Sequence, residues 1–323
     1  MKLTTLLTGA GPRVAVQDAD AVRVLPTPET LLQVIQGGQD ALDDVARRAR
    51  HAEAQPLTEA AFGPLLEPPA IRDYLTYENH ITVLMGAGTA DARIPEGWYA
   101  EPGFYFSNPV AVVAPYGPVP VPPGSVRFDY ELELAAVVGR AGSDLTPAQA
   151  REHIVGFTIM NDWSARDFQT RELTLPLGPS KSKDCATTLG PWLVTADEFA
   201  DVWDEDGVLS LTTQVHLNGR RTGGDTTANM AWTFPELLAY ASRGTTVRPG
   251  DVLGSGTCGT GCLAELWAAG APSVPGPLAP GDTVRIDIER IGHIENRIVP
   301  GPEPIPLPPA RSRRAGTPTG GAQ

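Results

Sequence analysis

The sequence predicts an α+β fold that is predominantly β, and three observations predict it. Apolar runs beyond residue 70 are mostly short and strand-like, two Pro-Gly-Asp turns at 249–251 and 280–282 each lead into a new apolar run, and helix-length amphipathic segments are few. A chain of 323 residues is long enough to bury roughly three quarters of its unfolded surface, so a packed core is expected.

Taken in order, residues 1–65 mix short apolar runs with a helix expected at 41–51, after which Leu65, Glu67, Pro68 and Pro69 punctuate the chain and set a boundary. Within 66–300, strands are expected at 126–138, 155–161, 192–195, 209–217 and 283–288. Helices are expected at 147–153 behind Thr146, at 163–170 behind Asp162, and at 234–243, closed by Gly244. Residues 301–323 are rich in Pro, Gly, Ala and Arg without periodicity. So few apolar groups cannot offset the entropy of ordering, and a disordered tail is expected.

Composition narrows the function. No run reaches the ~18 apolar residues of a membrane span, and the first residues lack a signal-peptide pattern, so neither a membrane partner nor export is expected. A net charge of -13, with a basic cluster only at 311–314, argues against nucleic acid. Cys185, Cys258 and Cys262 lack zinc-site spacing and read as packed, reduced thiols in a cytoplasmic protein. The acidity would also repel an anionic substrate, so a site for one must carry its own local cations.

Residues 128–134 alternate, with Phe128, Tyr130, Leu132 and Leu134 on one face and Asp129, Glu131 and Glu133 on the other. Carboxylates two apart on a strand sit about 6.6 Å from each other and repel by roughly 2.5 kcal/mol at an effective dielectric near 20. If that face is enclosed, a hard divalent cation such as Mg²⁺, Ca²⁺ or Mn²⁺ would neutralise it; if it meets water, the row is only a half-buried strand's polar side. Asp162, at the next strand-to-helix junction, fits either a helix N-cap or a further ligand. Arg166 and Gln169 are three apart on the helix that follows, where they could bind a carboxylate or an oxyanion.

Several ordered motifs resemble the fumarylacetoacetate hydrolase family: Asp129 to Ala135, Gly156-Phe157-Thr158 followed by Asn161 to Asp167 and Gln169, then Lys183 with Leu189-Gly190-Pro191. Gly254-Ser255-Gly256-Thr257, Glu265 and Pro280-Gly281-Asp282 continue the match in order, so that it spans 71–299. The resemblance implies a mixed β-sandwich or roll with a small N-terminal domain at 1–65, a catalytic domain at 66–300, and a homodimer. It also implies Asp73, Glu131, Glu133 and Asp162 as ligands of a divalent cation, with Asp129 outside that shell. His80, seven residues after Asp73, would be the general base, oriented by Glu265, and Arg166, Gln169 and Lys183 would stabilise an oxyanion and provide the required local cations. Tyr74, Tyr77 and Thr257 are expected at the substrate.

The activity so implied is hydrolysis of a carbon-carbon bond in a small anionic diketo acid of the fumarylacetoacetate, fumarylpyruvate or acylpyruvate type. The same scaffold serves decarboxylases, hydratases and isomerases that act on a 2-oxo acid through an enolate held by the metal, and the base at His80 tilts the expectation toward hydrolysis. A non-catalytic, metal-stabilised binding module is the reading from a different class, and the joint presence of His80, Glu265 and Lys183 argues against it.

Overall fold

The computed structural model describes residues 1–86, 93–175, 177–270 and 273–311. An eleven-stranded mixed sheet runs through the molecule. Its centre is the antiparallel trio Leu132–Val138, Ile154–Asp162 and Thr187–Thr195. On one flank Val252–Gly254 pairs antiparallel with Leu132–Val138 and parallel with Ile71–Tyr74, and Phe104–Ser107 closes that edge. On the other flank Lys2–Thr8 pairs with Thr187–Thr195, and Gly11–Asp18, Ala21–Val24 and Ala54–Pro56 follow outward. The strands of residues 1–65 therefore extend the same sheet as the rest of the chain.

A five-stranded sheet, with Thr283–Ile288 between Thr212–Leu217 and Gly292–Val299, covers one face of the large one. Leu132, Leu134, Phe157 and Ile159 share a core there with Val215, Ile286 and Ile294. The opposite face packs under the helices Leu31–Gln36 and Gly38–Ala49, where Ala135, Val137, Met160 and Leu193 meet Leu31, Ile35, Leu42 and Val45. The result is three layers, mainly β, as the sequence predicts.

This layering corrects one expectation. The strand Leu132–Val138 is buried on both faces rather than half-buried, because helices from the first 50 residues cover the side that the alternation left open to water. The strand expected over 126–138 also breaks into Phe128–Asp129 and Leu132–Val138. Capping boxes at Thr146/Gln149 and Thr233/Glu236 fix the helices Pro147–Arg151 and Phe234–Ala241 near their expected places. The helix expected from 163 starts instead at Arg166, since Ser164–Ala165 is taken up by pairing with Phe128–Asp129. Asp162 therefore ends a strand and caps nothing; the N-cap is Ala165, without a side-chain bond. Residues 301–311 carry no regular structure and 302–311 are exposed, while the rest of the expected tail, 312–323, lies outside the described residues.

Candidate active site

Strand parity gathers the acids. Ile71, Ala135 and Met160 point into the helix-covered core, so Asp73, Glu133 and Asp162, each two residues away along its own strand, face the same side. Glu131 joins them across the ladder, where its carbonyl accepts the Asp162 N–H at 3.3 Å. One carboxylate oxygen from each of Asp73, Glu131, Glu133 and Asp162 lies within 4.8 Å of the others, and all four residues are buried. Asp73 Oδ1, Glu133 Oε1 and Asp162 Oδ1 have no hydrogen-bond partner among the described residues. Buried oxygens left without a donor are costly, and a hard cation taking oxygen ligands satisfies all three at once. The residues present thus fit Mg²⁺, Mn²⁺ or Ca²⁺.

Gly254 makes the convergence possible. It lies in register with Asp73 on one side and Ala135 on the other, and a Cβ there would stand 2.6 Å from Asp73 Oδ1 and 2.8 Å from Glu133 Oε2. Gly254→Ala is expected to keep the fold but to splay the two carboxylates, weakening Mn²⁺ binding by about 10–100-fold in a calorimetric titration. Unchanged affinity would show that the site tolerates the intrusion.

The cluster is strongly anionic. Burial pushes Glu133 well above the usual carboxylate range, and the neighbouring charges of Asp73, Glu131 and Asp162 push it further. Asp162 is raised in the same sense by burial, although Lys183 opposes this with a bond of 2.5 Å to Oδ2. Glu131 goes the other way: burial would raise it, but Lys183 and Arg166, each in contact with one of its oxygens, hold it well below that range. Lys183 itself is held above the usual lysine value, burial being outweighed by Asp162 and Glu131. Two side-chain cations against the four clustered carboxylates and Asp129 leave an excess of negative charge that a divalent ion would offset.

Asp129 stays outside the cluster, as expected. Its carboxylate accepts the N–H groups of Leu263 at 2.8 Å and Ala264 at 3.0 Å, and it holds Arg166 Nε at 2.8 Å. Arg166 Nη1 in turn donates to Gln169 Oε1 at 3.0 Å, which leaves the amide nitrogen of Gln169 as a donor for another group. His80 sits on the helix Glu78–Gly86 with Nδ1 at 2.6 Å from Glu265 Oε1, while Glu265 Oε2 accepts the Thr260 N–H at 2.8 Å. Glu265 is held at both oxygens, and a carboxylate beside Nδ1 can accept an N–H from that nitrogen, which orients the ring with Nε2 as its other nitrogen.

A cavity of about 630 Å³ brings Asp73, His80, Glu131, Glu133, Arg166, Gln169, Lys183 and Thr257 together. Asp162 and Glu265 stand behind this lining, the former through Lys183 and the latter through His80. Larger cavities of about 830 and 740 Å³ include none of the four clustered carboxylates, so chemistry rather than size marks the site. Tyr77 is a correction: it is 1% exposed, packs in the core and does not line the cavity. Tyr74 lines the cavity, but its hydroxyl donates to the Leu237 carbonyl at 2.8 Å and is not offered to a substrate. Cys258, Cys262 and Cys185 are free thiols, and burial pushes Cys258 and Cys185 up to about 12, which removes both as nucleophiles near neutral pH.

Sequence reasoning missed Tyr105, whose hydroxyl contacts Asp162 Oδ2 and lies 2.7 Å from Asp73 Oδ2. It stands opposite Asp73 in the ladder. The aromatic run Phe104-Tyr105-Phe106 was the available strand signal.

The sequence profile described as "Fumarylacetoacetate (FAA) hydrolase C-terminal" matches residues 69–299. The human mitochondrial oxaloacetate tautomerase FAHD2A is 31% identical over 277 residues, which is 84% of this chain and 80% of that protein. The 4-hydroxyphenylacetate degradation bifunctional isomerase/decarboxylase of Salmonella dublin is 31% identical over 180 residues, covering 55% of this chain and 37% of that one. Among solved structures, the fumarylacetoacetate hydrolase of psychrophilic Exiguobacterium antarcticum matches with a TM-score of 0.70 at 27% identity, covering 93% of this chain and 100% of its own.

Proposed function

The chain belongs to the fumarylacetoacetate hydrolase family, and from that premise we propose that it is a divalent-metal-dependent enzyme that hydrolyses a carbon-carbon bond in a small diketo acid of the acylpyruvate type. The observation that carries the reading is one cavity lined by three of the four clustered carboxylates, with Asp162 directly behind them, and by an imidazole whose Nδ1 is tied to Glu265.

Asp73, Glu131, Glu133 and Asp162 would hold the cation, and Tyr105 would position Asp73 and Asp162. Once bound, the cation supplies Lewis-acid polarisation of the substrate's 2-oxo acid end and a counter-charge for the enolate that departs. His80 Nε2 takes a proton from water, and the resulting hydroxide adds to the distal carbonyl carbon. Glu265 stabilises the imidazolium so formed, as a carboxylate at 2.6 Å from Nδ1 does. The free amide N–H of Gln169 and the cations Arg166 and Lys183 face the oxyanion. When that oxyanion collapses, the carbon-carbon bond breaks with its electron pair passing to the enolate, and His80 returns the proton to carbon.

A second reading is favoured by the similarity to the human oxaloacetate tautomerase. The same His80 would then remove a proton from the carbon next to the keto group instead of from water, and no bond in the carbon chain would break. A product assay with Mn²⁺-loaded protein on acylpyruvates and oxaloacetate separates the two. Two acid fragments from an acylpyruvate support hydrolysis; an unchanged carbon count, with enol-keto exchange of oxaloacetate above background, overturns it in favour of tautomerisation. A cytoplasmic homodimer remains part of the proposal, and light scattering at twice the chain's mass of 34.2 kDa tests the assembly.

A further inference from the structure

The cavity lining is of two kinds. One is the polar floor of carboxylates and cations, and the other is apolar: Ile81, Leu84 and Met85 lie further along the helix that carries His80, and Trp98, Phe104 and Leu173 come from other segments. The polar groups on these walls are already engaged. Trp98 Nε1 donates to the Leu75 carbonyl at 2.6 Å, and the Glu101 carboxylate turns to Arg243 at 2.9 Å and Tyr240 at 3.3 Å. Leu84, Met85 and Leu173 are 41%, 51% and 66% exposed, so large apolar side chains stand open to water around the mouth.

The cations of the lining, Arg166 and Lys183, are each paired with two carboxylates of the floor and its support. Among the described residues that line the cavity, a carboxylate at the far end of a substrate would therefore lose its water to hydrocarbon and to Glu101 without meeting an unpaired cation. A hydrocarbon chain would instead cover the exposed leucines and methionine.

We infer that the apolar lining of this cavity takes an uncharged, apolar acyl chain, so that the enzyme selects 2-oxo acids with a single carboxylate at the metal end and a hydrocarbon tail at the other. The inference rests on the reading that the carboxylate cluster holds the cation that anchors the 2-oxo acid. It does not depend on which bond is then broken.

The test is a calorimetric titration of Mn²⁺-loaded protein with pyruvate, 2-oxohexanoate, 2-oxooctanoate and 2-oxoadipate. Affinity is expected to rise by about three- to fourfold for each added methylene, and 2-oxohexanoate is expected to bind at least about tenfold more tightly than 2-oxoadipate, its counterpart with a terminal carboxylate. Leu84→Arg, at the exposed rim, is expected to reverse that preference. A flat chain-length series, or a wild-type preference for 2-oxoadipate, overturns the inference while leaving the metal site and the hydrolase reading intact. If acylpyruvates are not cleaved but the affinity order holds, the hydrolase reading fails and the inference stands. Absence of Mn²⁺ binding removes the anchor and both fall together.

Discussion

Glu133→Gln is expected to raise the thermal midpoint of the metal-free protein and, in the same variant, to abolish the further rise that Mn²⁺ gives the wild type. The two effects have one cause. Glu133 is fully buried, its Oε1 has no partner among the described residues, and its charge is opposed by Asp73, Glu131 and Asp162. Without a cation that arrangement costs stability, and a neutral amide of the same shape relieves it by roughly 1–3 kcal/mol, a shift of a few degrees. With a cation the same charge becomes the attraction. Free metal at about a hundred times its dissociation constant should stabilise the wild type by about 2.7 kcal/mol, and the variant by much less. Differential scanning calorimetry with and without Mn²⁺ reads both numbers. EDTA is expected to abolish turnover, with recovery on adding Mn²⁺ back. A metal-free variant less stable than wild type, with its Mn²⁺ shift retained, would mean that Glu133 is satisfied by something other than a cation.

His80→Ala is expected to lower kcat by about 10²–10⁴ while leaving Mn²⁺ affinity within about twofold of wild type. The separation follows from the geometry, because His80 is tied to Glu265 and not to any of the four clustered carboxylates. Glu265→Gln should cost a comparable amount, up to about 10⁴, since an amide cannot accept from both His80 Nδ1–H and the Thr260 N–H and cannot stabilise the imidazolium. A loss of Mn²⁺ binding in His80→Ala would assign the histidine to the metal instead of to proton transfer, and near-normal kcat in both variants would remove the base from the mechanism.

Part of the site is legible in the sequence. Alternation alone put Asp129, Glu131 and Glu133 on one face, and the three-residue spacing of Arg166 and Gln169 reads directly as their 3.0 Å bond. What alternation could not give was which acids converge. Asp129 shares the face of Glu131 and Glu133, yet the chain breaks between Phe128–Asp129 and Leu132–Val138 and turns its carboxylate onto the N-terminus of the helix Leu263–Ala269. Gly254 and Tyr105 went unread for a related reason. Their part in the cluster comes from register with Asp73 across two neighbouring strands, and register between segments 30 to 180 residues apart has no local signal.

By itself, then, the sequence determined the mainly β body and the capped helices, because those follow from period and cap chemistry, while the candidate ligands, base and cations came from its resemblance to the family's motifs. Tertiary structure alone decided that the acidic face is enclosed. Helices from the first 50 residues cover the adjoining Ala135 and Val137, the segments that carry Ile81, Leu84, Trp98 and Phe104 wall the cavity over the acids, strands pair across a bare glycine, and water is excluded from three carboxylate oxygens that are left without partners. Enclosure is a property of what packs over a strand, and the strand's own residues cannot encode it; it is also what turns a row of acids into a place where a cation is worth binding.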